Sequence, residues 1–209
     1  MQIEPMPSED GWRCWLSERE QELLVEHADP RPDEDDPRRT LAVELMLDGL
    51  RSEETTRVSK NDVRRLDAEG EAYCLRVWEG KTGYRECPVS TQTKERIFML
   101  ASMPGFGQDD PLIDVSPRTV QRWVAEDAAP ALAEQTGDDD WLKVSAHDLR
   151  RTWGTHAYYR LISSGGTNDV REIVMRWGGW DDEDTFRNNY LGRVPDGLSA
   201  ELMASAGLA

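Results

Sequence analysis

The stretch "AHDLRRTWGTH" (residues 146–156) brings together two of the three histidines of the chain and two adjacent arginines. With the following "AYYRLISSGG", its pattern predicts one long helix that stops at a glycine pair. His147 and Arg150 share one face at the N-terminal end of that helix, where free backbone N–H groups and the helix dipole favour an anion. An isolated His-x-x-Arg pair is more typical of a helix cap and a surface ion pair. The rest of the sequence has to decide between that interpretation and a phosphate site.

Length and composition limit the class of protein. The chain has 209 residues, 38% of them hydrophobic, and eight tryptophans, which is enough for one domain with a real core. No apolar run approaches the length of a membrane span, and the start "MQIEPMPSEDGW" lacks the pattern of a secretory signal. The three cysteines show neither a disulfide framework nor metal-type spacing. We therefore expect a cytoplasmic protein with no membrane partner.

The charge balance is strongly acidic. There are 25 basic and 41 acidic residues, a net charge of −16, and only four of the basic residues are lysines. Acidic chains normally avoid nucleic acid, yet this composition also suits a salt-rich cytoplasm, where high ionic strength screens self-repulsion. The charge therefore favours a halophilic source at least as much as it speaks against a DNA partner.

Hydrophobic periodicity predicts a mostly α (α+β) fold, a helical bundle with a small antiparallel β-hairpin or sheet. Two strands, 72–78 and 84–90, flank the loop "EGKTG" and form the predicted hairpin. The predicted helices are 16–28 with Ser17 as N-cap, 38–50, 91–102, 115–128, the helix that opens with the quoted stretch, 168–179 and 182–192.

Other polar and aromatic residues become candidates for a shared site when they are considered together with the quoted stretch. Arg51 follows a helix that looks buried, so its charge needs an anionic partner, and Glu54 lies three residues on. Lys81 stands at the tip of the hairpin, from which a flexible ammonium can reach into a cleft. Trp180 precedes Tyr190 by ten residues, near the end of the next predicted helix.

Read in order, these residues resemble the catalytic signature of the tyrosine recombinase (phage-type integrase) family. The resemblance covers residues 16–192 and rests on "HDLRRTWGTHAYY", "GLRSEE" and "GGW…Y". It implies a catalytic domain over 16–209 with an acidic loop near 29–37, preceded by an N-terminal tail over 1–15 and by no core-binding domain. The implied catalytic set is Arg51, Lys81, His147, Arg150, Trp180 and Tyr190.

The resemblance also implies a chemistry. Two arginines, Arg51 and Arg150, hold the non-bridging oxygens of a DNA phosphate with fixed donors. Tyr190 attacks the phosphorus and forms a 3′-phosphotyrosyl link, while Lys81 protonates the departing 5′ oxygen. No metal or other cofactor is needed for this reaction.

The remaining two members of the set assist. His147 can donate to the phosphate or accept the tyrosine proton, and Trp180 can only donate through its indole N–H. Glu54 is expected to orient an arginine or His147. Recombination of this kind implies double-stranded DNA as partner and a homotetramer assembled on it.

Further residues are candidates for DNA contact or rivals for a catalytic role. Arg118 and Arg122 lie on one face of the predicted helix 115–128 and, with Arg151, are expected to contact DNA phosphates. Trp177 is an alternative for the Trp180 position. Tyr158 and Tyr159 are rival nucleophiles, although their position inside the long helix indicates packing in the core.

Three other functions compete with a recombinase. A type IB topoisomerase uses the same types of active-site residues, and a non-catalytic DNA-binding or regulatory protein could keep the fold without the chemistry. A metal-dependent nuclease is disfavoured, because the acidic runs lack paired histidines or a defined ligand spacing.

Overall fold

The helix predicted from the quoted stretch is α7 (Ala146–Ser163), which packs against α2 (Pro37–Leu47) at the centre of the protein. A capping box begins α7, in which the backbone N–H and hydroxyl of Ser145 donate to the Asp148 carboxylate at 2.8 and 2.6 Å. Residues 41–46 of α2 are all buried, so this helix is surrounded by core on every side.

The computed structural model describes residues 1–6, 10–31, 36–165 and 169–208. The strands in these ranges are β1 (Gln2–Pro5), β2 (Trp12–Trp15), β3 (Val63–Arg65), β4 (Tyr73–Gly80) and β5 (Gly83–Val89). The other helices are α1 (Glu18–Glu26), α3 (Ser52–Thr55), α4 (Thr91–Ala101), α5 (Pro117–Arg122), α6 (Ala129–Thr136), α8 (Val170–Gly178), α9 (Glu183–Asn189) and α10 (Asp196–Ser205).

The predicted fold class is confirmed. Antiparallel β4 and β5 form the predicted hairpin, and the short strand β3 pairs with the other edge of β4. Helix α1 begins after Ser17, which forms a capping box with Glu20. The large core cluster is built mainly from α1, α2, the β4–β5 hairpin and the helices from α4 to the start of α7.

One predicted boundary is wrong. Of the predicted tail, residues 2–5 and 12–15 are strands instead: β1 and β2 pair antiparallel, with Gln2 opposite Trp15. Cys14 and Trp15 are buried, and β2 packs against α7. Each of these strands is only four residues long, so neither shows a recognisable alternating pattern in the sequence. Of the acidic loop predicted near 29–37, residues 32–35 lie outside the described ranges.

The helix predicted over 115–128 extends further than its sequence pattern indicates. Helix α5 continues through a π-helical segment, Trp123–Ala128, into α6. Pro130 lies in the first turn of α6 and has no N–H to donate to the preceding turn, and the wider π-helical turn precedes this position. Within the described ranges, the helices are too short or too polar for any of them to cross a membrane.

The stability of the protein is expected to depend on pH through Asp48, the residue that follows α2. Burial raises the pKa of Asp48 to about 6, although hydrogen bonds from Thr93 and Ser90 oppose the shift. The native carboxyl therefore binds a proton more tightly than the unfolded one, and stability falls as the pH rises from about 4 to about 6. We expect Asp48→Asn to raise the free energy of unfolding by about 1–3 kcal/mol at pH 8.

The measurement is thermal or urea unfolding of both proteins at pH 8 and pH 4.5. The gain from Asp48→Asn should shrink at pH 4.5, where the native carboxyl is already protonated. An equal gain at both pH values would contradict the raised pKa.

Candidate active site

Three arginines converge on the C-terminal end of α8, just before Trp180. Arg85 Nε donates to the carbonyl of Trp177 at 2.9 Å, Arg150 Nη2 donates to that of Gly178, and Arg51 Nη2 donates to that of Gly179 at 2.8 Å. The last carbonyls of a helix have no partner within it, and the helix dipole favours cations there. Three successive carbonyls are thus satisfied by side chains from α7, from β5 and from Arg51, the residue before α3.

Glu54 is the carboxylate that holds two of these arginines. Its oxygens accept from both terminal nitrogens of Arg85 at 2.7 Å and from Arg51 Nη1 and the Arg51 backbone N–H at 2.8 Å. Burial alone would raise the carboxyl pKa, but Arg85 and Arg51 more than offset it and lower the pKa of Glu54 to about 2. Glu54 is therefore ionised and lies where the sequence predicted a carboxylate that orients an arginine.

Arg150 occupies the centre of the site. It is 1% exposed, its second terminal nitrogen donates to the carbonyl of Gly49, and its Nε is buried without a hydrogen-bond partner among the described residues. Burial, and then the charges of Arg51 and Arg85, lower the pKa of Arg150 to about 9. Position 49 requires glycine, because its φ is +97° and a Cβ there would lie 2.6 Å from the Trp153 ring.

An aromatic cluster connects Arg150 to the tyrosine. The Arg150 guanidinium carbon lies 4.2 Å from the Trp180 ring centroid and 5.8 Å from that of Tyr190. The Trp180 and Tyr190 rings are 4.7 Å apart, edge to face, and Phe186 and Trp153 pack on the other sides of Trp180. The tight turn into Trp180 requires glycine, since a Cβ at Gly178 would lie 2.0 Å from its ring. The Trp180 indole N–H is buried and has no partner in the described part of the chain.

His147 lies beside the tyrosine, on the open side of the site. Its ring centroid is 5.2 Å from that of Tyr190, edge to face, and the residue is exposed. Loss of hydration in the cleft, followed by the charges of Arg151, Arg150 and Arg51, lowers the pKa of His147 below its ordinary value. The imidazole is therefore neutral at pH 7, which gives it one donor and one acceptor nitrogen.

Lys81 lies at the rim rather than inside. It is exposed at the β4–β5 turn and makes no hydrogen bond or ion pair with any described residue. Its neighbour Thr82 donates to the carbonyl of Gly179 at 3.4 Å, so the turn lies against the end of α8. An open groove of about 930 Å³ runs between this hairpin and α8 and reaches Trp180. The structure thus places five of the six predicted catalytic residues together and the sixth at their edge.

The three arginines predicted to contact DNA differ in their surroundings. Arg118 is exposed and has no partner among the described residues, whereas Arg122 is exposed and paired with Glu126 at 2.7 Å. The expectation for Arg151 is wrong. It is 7% exposed, bonded to Asp148, and its Nε donates to the carbonyl of Asn189 at 3.0 Å, so it stabilises the interior.

The alternatives for Trp180 and Tyr190 lie elsewhere. Trp177 is followed by the two glycines and offers its carbonyl to Arg85, while its ring does not join the cluster around Tyr190. Tyr158 and Tyr159 pack against each other at 5.1 Å, and the Tyr159 hydroxyl donates to the carbonyl of Gly192 at 3.3 Å. Within the described residues, no group of three or more His, Cys, Asp or Glu side chains could hold a metal ion.

Arg85 is the member of the site that the sequence analysis missed. It shares one face of β5 with Cys87 and Val89, which face the core, so its side chain is directed inward. An arginine at an inward position of a strand has to meet a buried carboxylate, and that pattern was the available signal.

The pairing of Glu54 with Arg85 leads to a stability prediction. Glu54→Ala leaves the 6%-exposed Arg85 without its carboxylate, and we expect a loss of about 3–5 kcal/mol in the free energy of unfolding. Urea unfolding at pH 7 measures it, with Glu53→Ala on the same short helix as the matched control. A loss below about 1 kcal/mol would show that Arg85 finds another partner.

No protein-family model matches the chain, and no curated protein matches it significantly. The structure is similar to XerA recombinase, with a TM-score of 0.61 at 19% identity over 92% of this chain and 65% of that one. It is similar to the site-specific recombinase XerH in a post-cleavage complex with palindromic difH substrate, with a TM-score of 0.61 at 17% identity over 92% and 52% of the two chains.

A third similar structure is a lambda integrase dimer bound to a COC′ core site, with a TM-score of 0.51 at 18% identity over 85% of this chain and 48% of that one. The chain spans about half to two thirds of the length of these three proteins. Its helices and small antiparallel sheets have the fold of the catalytic domain of these recombinases and integrases.

Proposed function

We propose that the chain is the catalytic domain of a site-specific DNA recombinase that cleaves and rejoins strands through Tyr190. The observation that carries this proposal is the convergence of Arg51, His147, Arg150 and Trp180 around one tyrosine, with His147 and Tyr190 rings 5.2 Å apart. These residues lie far apart in the sequence and meet through the packing of α7, α8 and α9.

The local charge supports an anionic substrate. The guanidinium groups of Arg51, Arg85 and Arg150 meet at the C-terminal end of α8. Glu54 bonds Arg51 and Arg85 but not Arg150, so three positive charges and one negative charge leave an excess of two positive charges in the cluster. The cluster is thus positively charged although the protein as a whole has a net charge of −16. Positive potential focused in a cleft attracts a phosphate even when the whole molecule is acidic.

The proposed reaction assigns one step to each group. The Tyr190 oxygen forms a bond to phosphorus while the bond from phosphorus to the 5′ oxygen breaks, which gives a 3′-phosphotyrosyl link and a free 5′-hydroxyl. Neutral His147 accepts the tyrosine proton, and Lys81 at the exposed β4–β5 turn donates one to the 5′ oxygen. Reversal with another 5′-hydroxyl rejoins the strand.

The arginines and Trp180 stabilise the charge that develops on the phosphate. Arg51 and Arg150 carry fixed donors, and the Trp180 indole N–H and Arg150 Nε are buried donors with no partner among the described residues. In this structure both terminal nitrogens of Arg150 donate to backbone carbonyls, those of Gly49 and Gly178. DNA binding therefore has to open the cleft and exchange these carbonyls for phosphate oxygens.

DNA contacts outside the cleft come from α5. Gln121 of α5 donates to the Ser52 hydroxyl of α3 at 3.1 Å, so Arg118 lies on a helix that borders the residue after Arg51. The guanidinium of Arg118, which has no partner among the described residues, is suited to position a DNA phosphate. Double-stranded DNA is the proposed partner, and a homotetramer the proposed assembly on it.

The experiment that tests this function is covalent trapping with a pool of nicked duplexes of randomised sequence, in EDTA and in high salt. We expect a protein–DNA species that survives SDS and disappears with protease. A 5′ label on the cleaved strand should stay with the protein and a 3′ label should be released, because the link is to a 3′ phosphate.

The possible outcomes distinguish the competing functions. Binding without any covalent species would indicate a regulatory DNA-binding protein, and a strict need for a divalent ion would indicate a nuclease. Relaxation of supercoiled plasmid with adducts at unselected sequences would indicate a type IB topoisomerase.

A further inference from the structure

The N-terminal strand β2 runs along α7 and is bonded to it at regular intervals. The backbone N–H groups of Cys14 and Leu16 donate to Asp148 and Thr152 at 3.0 and 2.9 Å. His156 lies 3.1 Å from the carbonyl of Leu16. Asp148, Thr152 and His156 are four residues apart, so they share one face of the helix. A different face of the same helix carries His147 and Arg150, and β2 is thereby fixed relative to the site.

The same strand reaches the end of α9, which carries Tyr190. Arg13 donates to the carbonyl of Asn188 at 2.7 Å, and the Trp15 indole N–H donates to that of Tyr190 at 2.7 Å. From α7, Arg151 donates to Asn189 and the Thr155 hydroxyl donates to the Tyr190 carbonyl at 2.8 Å. The carbonyls of three successive residues, which no intrahelical partner can satisfy, are thus taken by side-chain donors.

Trp15 and Thr155 also hold the chain on the far side of Tyr190. The backbone N–H of Gly192 donates to the Thr155 hydroxyl at 2.8 Å, and a Cβ at Gly192 would lie 3.0 Å from the Trp15 ring. Trp15 and Thr155 are 5% and 1% exposed, so water does not compete for these bonds. Both the carbonyl of Tyr190 and the residue two positions later are fixed by the same pair of side chains.

We propose that Trp15 and Thr155 are positioning residues for Tyr190, and that β2 clamps the end of α9 so that the phenol stays beside His147 and Arg150. This inference rests on the proposed function. Neither residue touches the phosphate, and both act through the backbone of Tyr190. A nucleophile displaced by about 1 Å loses roughly 10²-fold in rate, so such a clamp controls cleavage rather than binding.

The test is Trp15→Phe, which removes the indole N–H and keeps an aromatic ring in the same place. Trp12→Phe is the matched control, because Trp12 lies on the same strand, is 43% exposed and makes no bond to α9. We expect Trp15→Phe to raise the amide hydrogen exchange of Tyr190, Leu191 and Gly192 about tenfold while exchange in α2 is unchanged. The control should leave all of these rates unchanged.

The second readout separates cleavage from binding. With the nicked duplexes, Trp15→Phe should slow adduct formation at saturating DNA about tenfold or more, with the DNA concentration for half-maximal rate changed less than twofold. Thr155→Val should have the same effect, and Thr155→Ser, which keeps the hydroxyl, should restore the wild-type rate. That rescue distinguishes positioning from a general loss of packing.

Two results would overturn the inference. One is unchanged exchange at residues 190–192 in both Trp15→Phe and Thr155→Val, and the other is faster exchange there with an undiminished rate of adduct formation. If the wild-type protein forms no adduct, the proposed function fails. In that case the exchange rates alone decide whether β2 orders the end of α9.

Discussion

Tyr190→Phe is expected to abolish the covalent protein–DNA species while leaving DNA affinity within about twofold of wild type. The substitution removes only the hydroxyl, the atom proposed to attack the phosphorus. The ring remains packed against Trp180 and His147 at 4.7 and 5.2 Å, and no described residue is hydrogen-bonded to the Tyr190 hydroxyl. The substitution therefore removes no hydrogen bond within the described residues, and the unfolding midpoint should stay unchanged.

The matched control for this variant is Tyr159→Phe. Tyr159 lies on α7, and its hydroxyl donates to the carbonyl of Gly192 at 3.3 Å, close to the tyrosine-bearing segment. It should form adduct at the wild-type rate. A Tyr190→Phe protein that still forms the adduct, or a Tyr159→Phe protein that does not, would transfer the nucleophilic role to another residue.

The second large effect is expected for Arg150→Lys, which should slow adduct formation by about 10²- to 10³-fold. Lysine keeps the charge but cannot present the planar set of donors that bonds Gly49 and Gly178 and stacks on Trp180 at 4.2 Å. Because Arg150 is 1% exposed, alanine would leave a buried cavity. A loss of activity in that variant would not distinguish lost catalysis from lost folding. Lysine limits that damage to a loss of about 1–3 kcal/mol in the free energy of unfolding.

Single-turnover cleavage with Arg150→Lys should be measured at a temperature where unfolding curves show the variant to be folded. Arg160→Lys serves as control, since Arg160 is on the same helix but exposed and paired with Glu18. Its rate should match wild type. A rate for Arg150→Lys within about threefold of wild type would mean that Arg150 only joins α2 to α8 and does not contact the phosphate.

The parts of the site that could be predicted from the sequence are those with local spacing. His147 and Arg150 are related by one helical turn, and Arg51 with Glu54 by another, so their relation follows from helix geometry. The roles of Trp180 and Tyr190 were predicted from the family resemblance. The packing of α8 and α9 against α7 brings both residues next to Arg150.

The parts that could not be predicted depend on contacts between distant segments. Arg85 meets Glu54 only because β5 passes beside α3, and Trp15 meets Tyr190 only because β2 runs along α7. Arg151 looks like a surface residue beside Arg150, yet Asp148 and the end of α9 occupy its guanidinium. The link between the acidic composition and a salt-rich cytoplasm stays a prediction.

One physical principle organises both halves of the site. The ends of α8 and α9 each expose successive carbonyls, and each is stabilised by arginines, namely Arg51, Arg85 and Arg150 at the first and Arg13 and Arg151 at the second. Trp180 follows the first helix end and Tyr190 lies at the second. The donors that complete the two helices therefore also fix the positions of the indole and the phenol.

Mass spectrometry of the trapped complex after nuclease and protease digestion tests directly whether Tyr190 is the nucleophile. We expect a nucleotide joined through its 3′ phosphate to Tyr190, in the peptide that also contains Asn188 and Asn189. A nucleotide on Tyr158, Tyr159 or any other residue, or no modified peptide from wild-type protein that has bound the cleaved DNA, would contradict it.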